Sequence, residues 1–364
     1  MAAPFADELL IWYREARADL PWRRDANPYH IWLAEVMLQQ TQVETVIPYF
    51  TRFLQACPTI EALAAAPLDD LLKLWEGLGY YSRARNLHRA ARLIVSEHGG
   101  VMPAEVDELL KLPGIGRYTA GAIASIAFGR PAPVLDGNVI RVFARVLDLD
   151  EDTNQSATRK KLWRLAERWL PAADCGDYNQ ALMELGQRVC RPQNPRCSTC
   201  PIRAHCRARS AGTQALRPRR SKRAPSPHYD VTAGLIRDER GRLLIAQRPL
   251  DGLLGGLWEF PGGKVEEGER LADCLKRELR EELAIDVAVG ARFAVVDHAF
   301  THFKITLHAF DCTYLGPLPP HSQPQALGAR DWAWVSERQL ADYSFGKADR
   351  LVIAELARRR EMLL

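Results

Sequence analysis

The chain has no apolar run of the roughly 18 residues needed to cross a bilayer. Its opening residues, which include Asp7 and Glu8, lack the basic-then-apolar pattern of an export signal. Both absences predict a cytoplasmic protein. A disulfide framework is missing too. Four of the eight cysteines crowd between Cys190 and Cys206, while Cys57, Cys175, Cys274 and Cys312 are scattered, which suits a reducing compartment. There is no internal repeat and no long low-complexity segment. Neither sign of charge dominates: 49 Lys and Arg against 45 Asp and Glu leave +4, compatible with a nucleic-acid partner without requiring one. With 364 residues, 47% of them hydrophobic, the chain is long enough for two or three domains with full cores.

What is present changes character along the chain. Up to about residue 205, segments such as D-E-L-L-I-W-Y-R and Y-H-I-W-L-A-E-V-M-L-Q-Q place apolar residues three and four apart, and prolines separate them. That pattern predicts short helices throughout. Residues 207–228 are basic, carry Pro and Ser and have few large apolar groups, so they read as a linker with a second use in contacting phosphates. From Tyr229 the pattern alternates, with a hairpin turn at Glu239–Gly241, a helix near 271–283 and strands near 292–297 and 304–314. The expected organisation is an all-α region over 1–206, a basic linker over 207–228 and an α+β domain over 229–364.

The segment L-P-G-I-G-R-Y-T-A-G-A, followed by V-L-D-G-N-V, carries the strongest local signal. Gly114 and Gly116 sit in a turn between two helices, where bare backbone and a helix N-terminus can face a phosphate. Asp136 follows in a Gly/Asn turn before a further helix. A second carboxylate, Glu35, stands among Trp32, Leu33, Val36, Met37 and Leu38. Periodicity alone also fits a solvent-facing Glu35. In apolar surroundings, however, a carboxyl tends to hold its proton near neutral pH, which suits a general acid. Cleavage of a glycosidic bond uses such an acid and a second carboxylate for the cationic sugar.

Cys190, Cys197, Cys200 and Cys206 give C-x6-C-x2-C-x5-C. Four soft thiolates suit zinc or an iron–sulfur cluster, and a single close pair leans toward the cluster. Near the far end, Glu278, Glu281 and Glu282 share a helical face opposite a Leu271, Leu275, Leu279, Leu283 stripe. Clustered carboxylates of this kind can hold Mg²⁺ with phosphate oxygens, or form a solvated acidic face.

L-P-W-R at 20–23, W-L-A-E-V-M-L-Q-Q-T-Q at 32–42, G-L-G-Y-Y at 77–81, L-P-G-I-G-R at 112–117 and L-D-G-N-V at 135–139 together resemble the adenine DNA glycosylases, the MutY family. That resemblance covers 1–206. It implies a multidomain protein: an all-α helix-hairpin-helix glycosylase region, with the hairpin at about 108–125 and a 4Fe–4S loop at 190–206. It implies excision of adenine mispaired with 8-oxoguanine or guanine in double-stranded DNA, with Glu35 as acid, Asp136 stabilising the sugar cation and Asn138 beside it. Related enzymes that also cut the backbone carry a Lys at the position of Tyr118. A phenol forms no Schiff base, so a monofunctional enzyme is expected. Gln40 and Tyr80 match the intercalating residues. Gly114, Gly116 and Arg117 match the backbone-gripping hairpin, and Trp22, Arg23 and Gln180 match the adenine pocket.

Residues 263–285 resemble the Nudix signature, with Ala284 where Gly is usual. In this glycosylase family the Nudix-like domain reads 8-oxoguanine, and H-A-F-T-H-F at 298–303 is similar to its reader loop, implying recognition by Phe300, Thr301 and His302. The nearly intact box leaves Mg²⁺-dependent hydrolysis of oxidised nucleotides as an alternative. The remaining expectations are a monomer, associated with a bacterial nucleoid, with repair or clamp proteins as candidate partners.

Overall fold

The computed structural model describes residues 2–221 and 225–362. The chain divides into two compact units that interleave in sequence. One comprises Met1–Ala66 and Asn86–Arg223, the other Pro67–Arg85 and Ala224–Leu364.

Helices α1 (Ala6–Ala16), α2 (Pro28–Leu38), α3 (Val43–Ala56) and α4 (Ile60–Ala65) begin the first unit. Helix α5 (Leu68–Trp75) belongs to the second, and the division falls within α6 (Ser82–His98). Then come α7 (Val106–Leu109), α8 (Arg117–Phe128), α9 (Gly137–Val146), α10 (Ser156–Trp169), α11 (Cys175–Glu184) and α12 (Arg207–Ser210). The starts are set locally. Asn27 accepts the Tyr29 amide at 2.9 Å with Pro28 in the first turn of α2, and Thr59 accepts the Ala62 amide at 3.2 Å to start α4. One core joins Phe5, just before α1, and Leu9 and Tyr13 of α1 to Val139 and Phe143 of α9, and to Leu162 and Leu182 of α10 and α11. Burying each of these side chains contributes about 1.5–3 kcal/mol.

The second unit is built on a mixed sheet of six strands: β1 (His228–Arg237), β2 (Leu243–Gln247), β3 (Trp258–Glu259), β4 (Ile285–Ala299), β5 (Lys304–Pro317) and β6 (Asp331–Val335). The strand order is β3-β2-β1-β5-β4, with β6 also pairing with β2; among the described strands β1 and β5 pair in parallel and the other pairs are antiparallel. Alternation sorts the side chains. Leu235, Leu243 and Ile245 join the core that holds Val352 and Leu356 of α14 (Lys347–Met362). Ile236, Leu244 and Ala246 join the core on the face of α13 (Leu271–Leu283), with its leucine stripe.

Two sequence boundaries move. Residues 207–221 are not a solvated tether. Arg217 pairs with Asp148 at 2.9 Å and Asp150 at 3.0 Å, Arg219 pairs with Asp150 at 2.9 Å, and the Thr153 amide donates to the Arg219 carbonyl at 3.0 Å. The arginines that suggested a linker find aspartates within the first unit, while residues 222–224 of the predicted linker lie outside the described residues. Residues 67–85 leave the helical region for the second unit. There Gln247 Nε2 donates to Asp69 Oδ1 at 3.0 Å, Lys73 Nζ to the Tyr343 carbonyl at 3.1 Å, and Glu76 pairs with Arg350.

Candidate active site

Helix α2 is apolar on nearly all sides, so it is buried on nearly all sides. Glu35 is carried inside with it and is only 7% exposed. Its side chain lines a cavity of about 380 Å³ that also holds Arg23, Tyr118, Asp136, Asn138 and Gln180. Four elements distant in sequence therefore bring together the predicted acid, the predicted sugar-facing carboxylate and the predicted pocket residues. Trp22 lies on the same wall.

Burial pushes the Glu35 carboxyl up to about 7. The Tyr118 hydroxyl opposes the rise and the negative charge of Asp136 adds to it. Tyr118, on the first turn of α8, donates to Glu35 Oε2 at 2.6 Å. Burial, followed by the charge of Glu35, holds its phenol well above the ordinary range, so it acts as a donor and not as a phenolate.

Asp136 is the N-cap of α9. Its Oδ1 accepts the Asn138 amide at 2.9 Å and the Val139 amide at 2.8 Å, and its Oδ2 accepts Asn138 Nδ2 at 2.7 Å. Burial raises its pKa against these three donors. Each carboxylate oxygen has two lone pairs, so the cap leaves acceptor capacity facing the cavity. Asn138 is itself oriented: its Oδ1 accepts Arg141 Nη2 at 2.7 Å, and Arg141 also donates to the carbonyls of Gly186 and Cys190, each at 2.7 Å.

One residue escaped the sequence reading. Glu184, buried at the end of α11, pairs with Arg23 and accepts the Ala18 amide at 2.9 Å and Arg188 Nη1 at 2.7 Å. These partners outweigh burial and hold its carboxyl below the usual range. It fixes the guanidinium of Arg23 at the cavity wall. The Glu184/Arg188 spacing of four along the helix was the available signal.

The hairpin places Gly114 at φ +78°, where an added Cβ would lie 2.7 Å from Asn86 Cβ, so glycine is required there. No side chain caps the start of α8 at Gly116, leaving amides free for an anion. Arg117 is engaged within the chain, paired with Glu167 and 4.0 Å from the Trp163 ring. Gln40 and Tyr80, the predicted intercalating residues, stand in separate units. Both adopt left-handed backbone, at φ 61° and 49°, and both side chains are exposed. Such strain in residues other than glycine concentrates at functional sites.

Cys190, Cys197, Cys200 and Cys206 are all partly buried. Cys200 is pushed up to about 12 by burial, and the other three cysteines lie near enough to add to it. Arg145, fully buried, donates to Cys190 Sγ at 3.3 Å and to the carbonyls of Arg191 and Pro192 at 2.7 and 3.1 Å. A donor set of four thiols, three of them near enough to act on Cys200 and one beside the fixed Arg145 cation, fits a thiolate-bound cluster by its chemistry, although no group of three ligands stands in metal-binding geometry among the described residues.

In the second unit one arginine is shared among the carboxylates of α13 and the loop before it. Arg277 pairs with Glu269 at 2.9 Å, Glu278 at 3.0 Å and Glu281 at 3.2 Å. Glu282 is pushed up to about 7 by burial and by Glu259 and Glu278. They form no cation site among the described residues. In the predicted reader loop, the Phe300 amide donates to the Phe303 carbonyl at 2.8 Å and their rings stack 4.6 Å apart. Thr301 and His302 are left exposed at the tip, with the Thr301 hydroxyl against that of Tyr80.

Residues 33–168 match the HhH-GPD superfamily of base excision DNA repair proteins, and residues 232–355 match the NUDIX domain family. With the buried carboxylate pocket behind an uncapped hairpin, this defines a base-excision DNA glycosylase with a C-terminal Nudix domain. The adenine DNA glycosylase of Homo sapiens is 39% identical over 390 residues, which cover 92% of this chain and 70% of the human protein. That of Schizosaccharomyces pombe is 30% identical over 406 residues, covering 92% and 86%. A solved thermostable thymine-DNA glycosylase is 30% identical, spans 57% of this chain and 95% of its own, and superposes with a TM-score of 0.52. The chain belongs to the adenine DNA glycosylase family.

Proposed function

We propose that this enzyme excises adenine mispaired with 8-oxoguanine or guanine, and does so without cutting the backbone. The observation that carries the reading is Glu35 buried beside Asp136 in one cavity, with its carboxyl raised to about 7. In the protonated form Glu35 gives its proton to a ring nitrogen of the extruded adenine, and the bond between the base and C1′ breaks. The sugar becomes cationic and is stabilised by the Asp136 carboxylate, which Asn138 orients. Glu35, now ionised, takes a proton from the water that adds to C1′. Arg23, held by Glu184, and Trp22 and Gln180 line the base pocket. Extruding the base costs a few kcal/mol, which inserted side chains offset; the exposed, strained Gln40 supplies one from the first unit and Tyr80 one from the second.

Opposite the adenine, Phe300, Thr301 and His302 read the oxidised guanine from an exposed tip backed by stacked rings. Gly114, Gly116 and the open amides of α8 hold a phosphate, with Arg117 joining once it leaves Glu167. Cys190, Cys197, Cys200 and Cys206 would hold a 4Fe–4S cluster, in a loop that Arg141 and Arg145 tie to α9.

The test is single-turnover excision on duplexes carrying adenine opposite 8-oxoguanine, guanine or thymine, with borohydride present. The expected result is release of adenine fastest opposite 8-oxoguanine, an intact abasic strand and no trapped adduct. Equal rates opposite all three bases would overturn the assigned specificity. An efficiently trapped protein–DNA adduct would overturn the monofunctional mechanism.

A further inference from the structure

The phenol of Tyr118 has one proton and two acceptors. Its oxygen lies 2.6 Å from Glu35 Oε2 and 3.0 Å from the thioether sulfur of Met183. Met183, on α11, is buried and lines the same cavity as Glu35. A single O–H cannot satisfy both acceptors fully. When Glu35 is ionised, the charge-assisted bond to the carboxylate is the stronger of the two. When Glu35 is protonated that advantage is lost, and the polarizable sulfur becomes a competing acceptor.

We propose that Met183 is a positioning residue for the glycosylase reaction: its thioether accepts the Tyr118 hydroxyl while Glu35 carries its proton, and so favours the acid form of Glu35. The inference rests on the reading of Glu35 as the general acid. The charged and titratable groups facing Glu35 are Tyr118 on α8, Asp136 at the start of α9 and Arg23 before α2, with Glu44 of α3 and Arg141 of α9 on the cavity wall. Met183 does not titrate. It acts only by giving the phenol proton a second place to go.

The sign follows. An acceptor that draws the phenol away from Glu35 stabilises the acid form, so the rate persists to higher pH. Met183→Leu keeps the volume and removes the acceptor. The phenol then donates to Glu35 alone and the ionised form gains.

The experiment is single-turnover adenine excision by the full chain from pH 5 to 9. Met183→Leu is expected to move the alkaline fall of the rate down by about 0.5 pH unit. Met183→Gln, close to isosteric and a stronger acceptor, is expected to move it up. In a Tyr118→Phe background, Met183→Leu is expected to shift nothing. A rate that drops equally at every pH, with the fall unmoved in both variants, would assign Met183 to packing and overturn the proposal. So would a shift that survives in Tyr118→Phe. Full activity in Glu35→Gln would instead overturn the reading of Glu35, an outcome separate from either.

Discussion

Both units bury carboxylates, and in both burial pushes side chains to about 7: Glu35 in the first, Glu282 and Asp349 in the second. What surrounds them differs. Beside Glu35 the nearby guanidinium of Arg23 is bound to Glu184, and the partner that touches the acid is a neutral phenol. Around α13 the arginines pair directly, Arg277 with three glutamates and Arg248 with Glu259. A raised carboxyl is therefore not itself a catalytic signature. Glu282 and Asp349 line a cavity of about 400 Å³ as Glu35 lines one of about 380 Å³, so the distinguishing feature is that the compensating cation beside Glu35 is spent elsewhere.

The contrast can be broken most forcefully at Glu35. Glu35→Gln is expected to reduce single-turnover excision by about 10²–10⁴-fold, while Glu281→Gln in the second unit leaves it within about twofold. Asp136→Asn should lose about 10²–10³-fold in rate, and about 1 kcal/mol of stability through the weakened cap of α9, read from denaturant unfolding.

A pH series sharpens the same contrast. A general acid raised to about 7 loses its proton as pH rises through that value, so excision should fall on the alkaline side. Stability should follow the same direction. A carboxyl with a raised folded-state pKa contributes fully below its ordinary range near 4.5 and loses that contribution as pH climbs through about 7. Tm at pH 8 should be lower than at pH 5.5 by roughly a few degrees, and Glu35→Gln should remove part of the drop. The smallest effect is expected at Arg277. Its replacement by Ala should cost about 1 kcal/mol, with adenine excision unchanged.

Much of the site was legible because its chemistry is local. The D-G-N turn announces a capping aspartate, and the glycines of the hairpin announce a backbone that side chains would block. Glu35 was ambiguous because α2 is apolar on every side, and such a helix has no periodic face from which to judge where a glutamate points. The left-handed backbone of Gln40 and Tyr80 left no trace in residue type. The ends of the linker failed for another reason: Arg217 and Arg219 meet aspartates some 70 residues away in sequence, a pairing that composition cannot reveal. For Glu184 the sequence shows only the spacing to Arg188; its role at the cavity comes from Arg23, which is remote in the chain.

The displaced segment 67–85 has a consequence for how the molecule is made. Leu71, Leu72 and Trp75 are buried, and Leu72 lies close to Gly256, a residue the ribosome adds long after α5 has emerged. During synthesis Leu72 must wait for this cover until the later residues of its own unit have been made. A chain cut after residue 206 never receives that cover and would be prone to self-association through α5, even with every catalytic group in place.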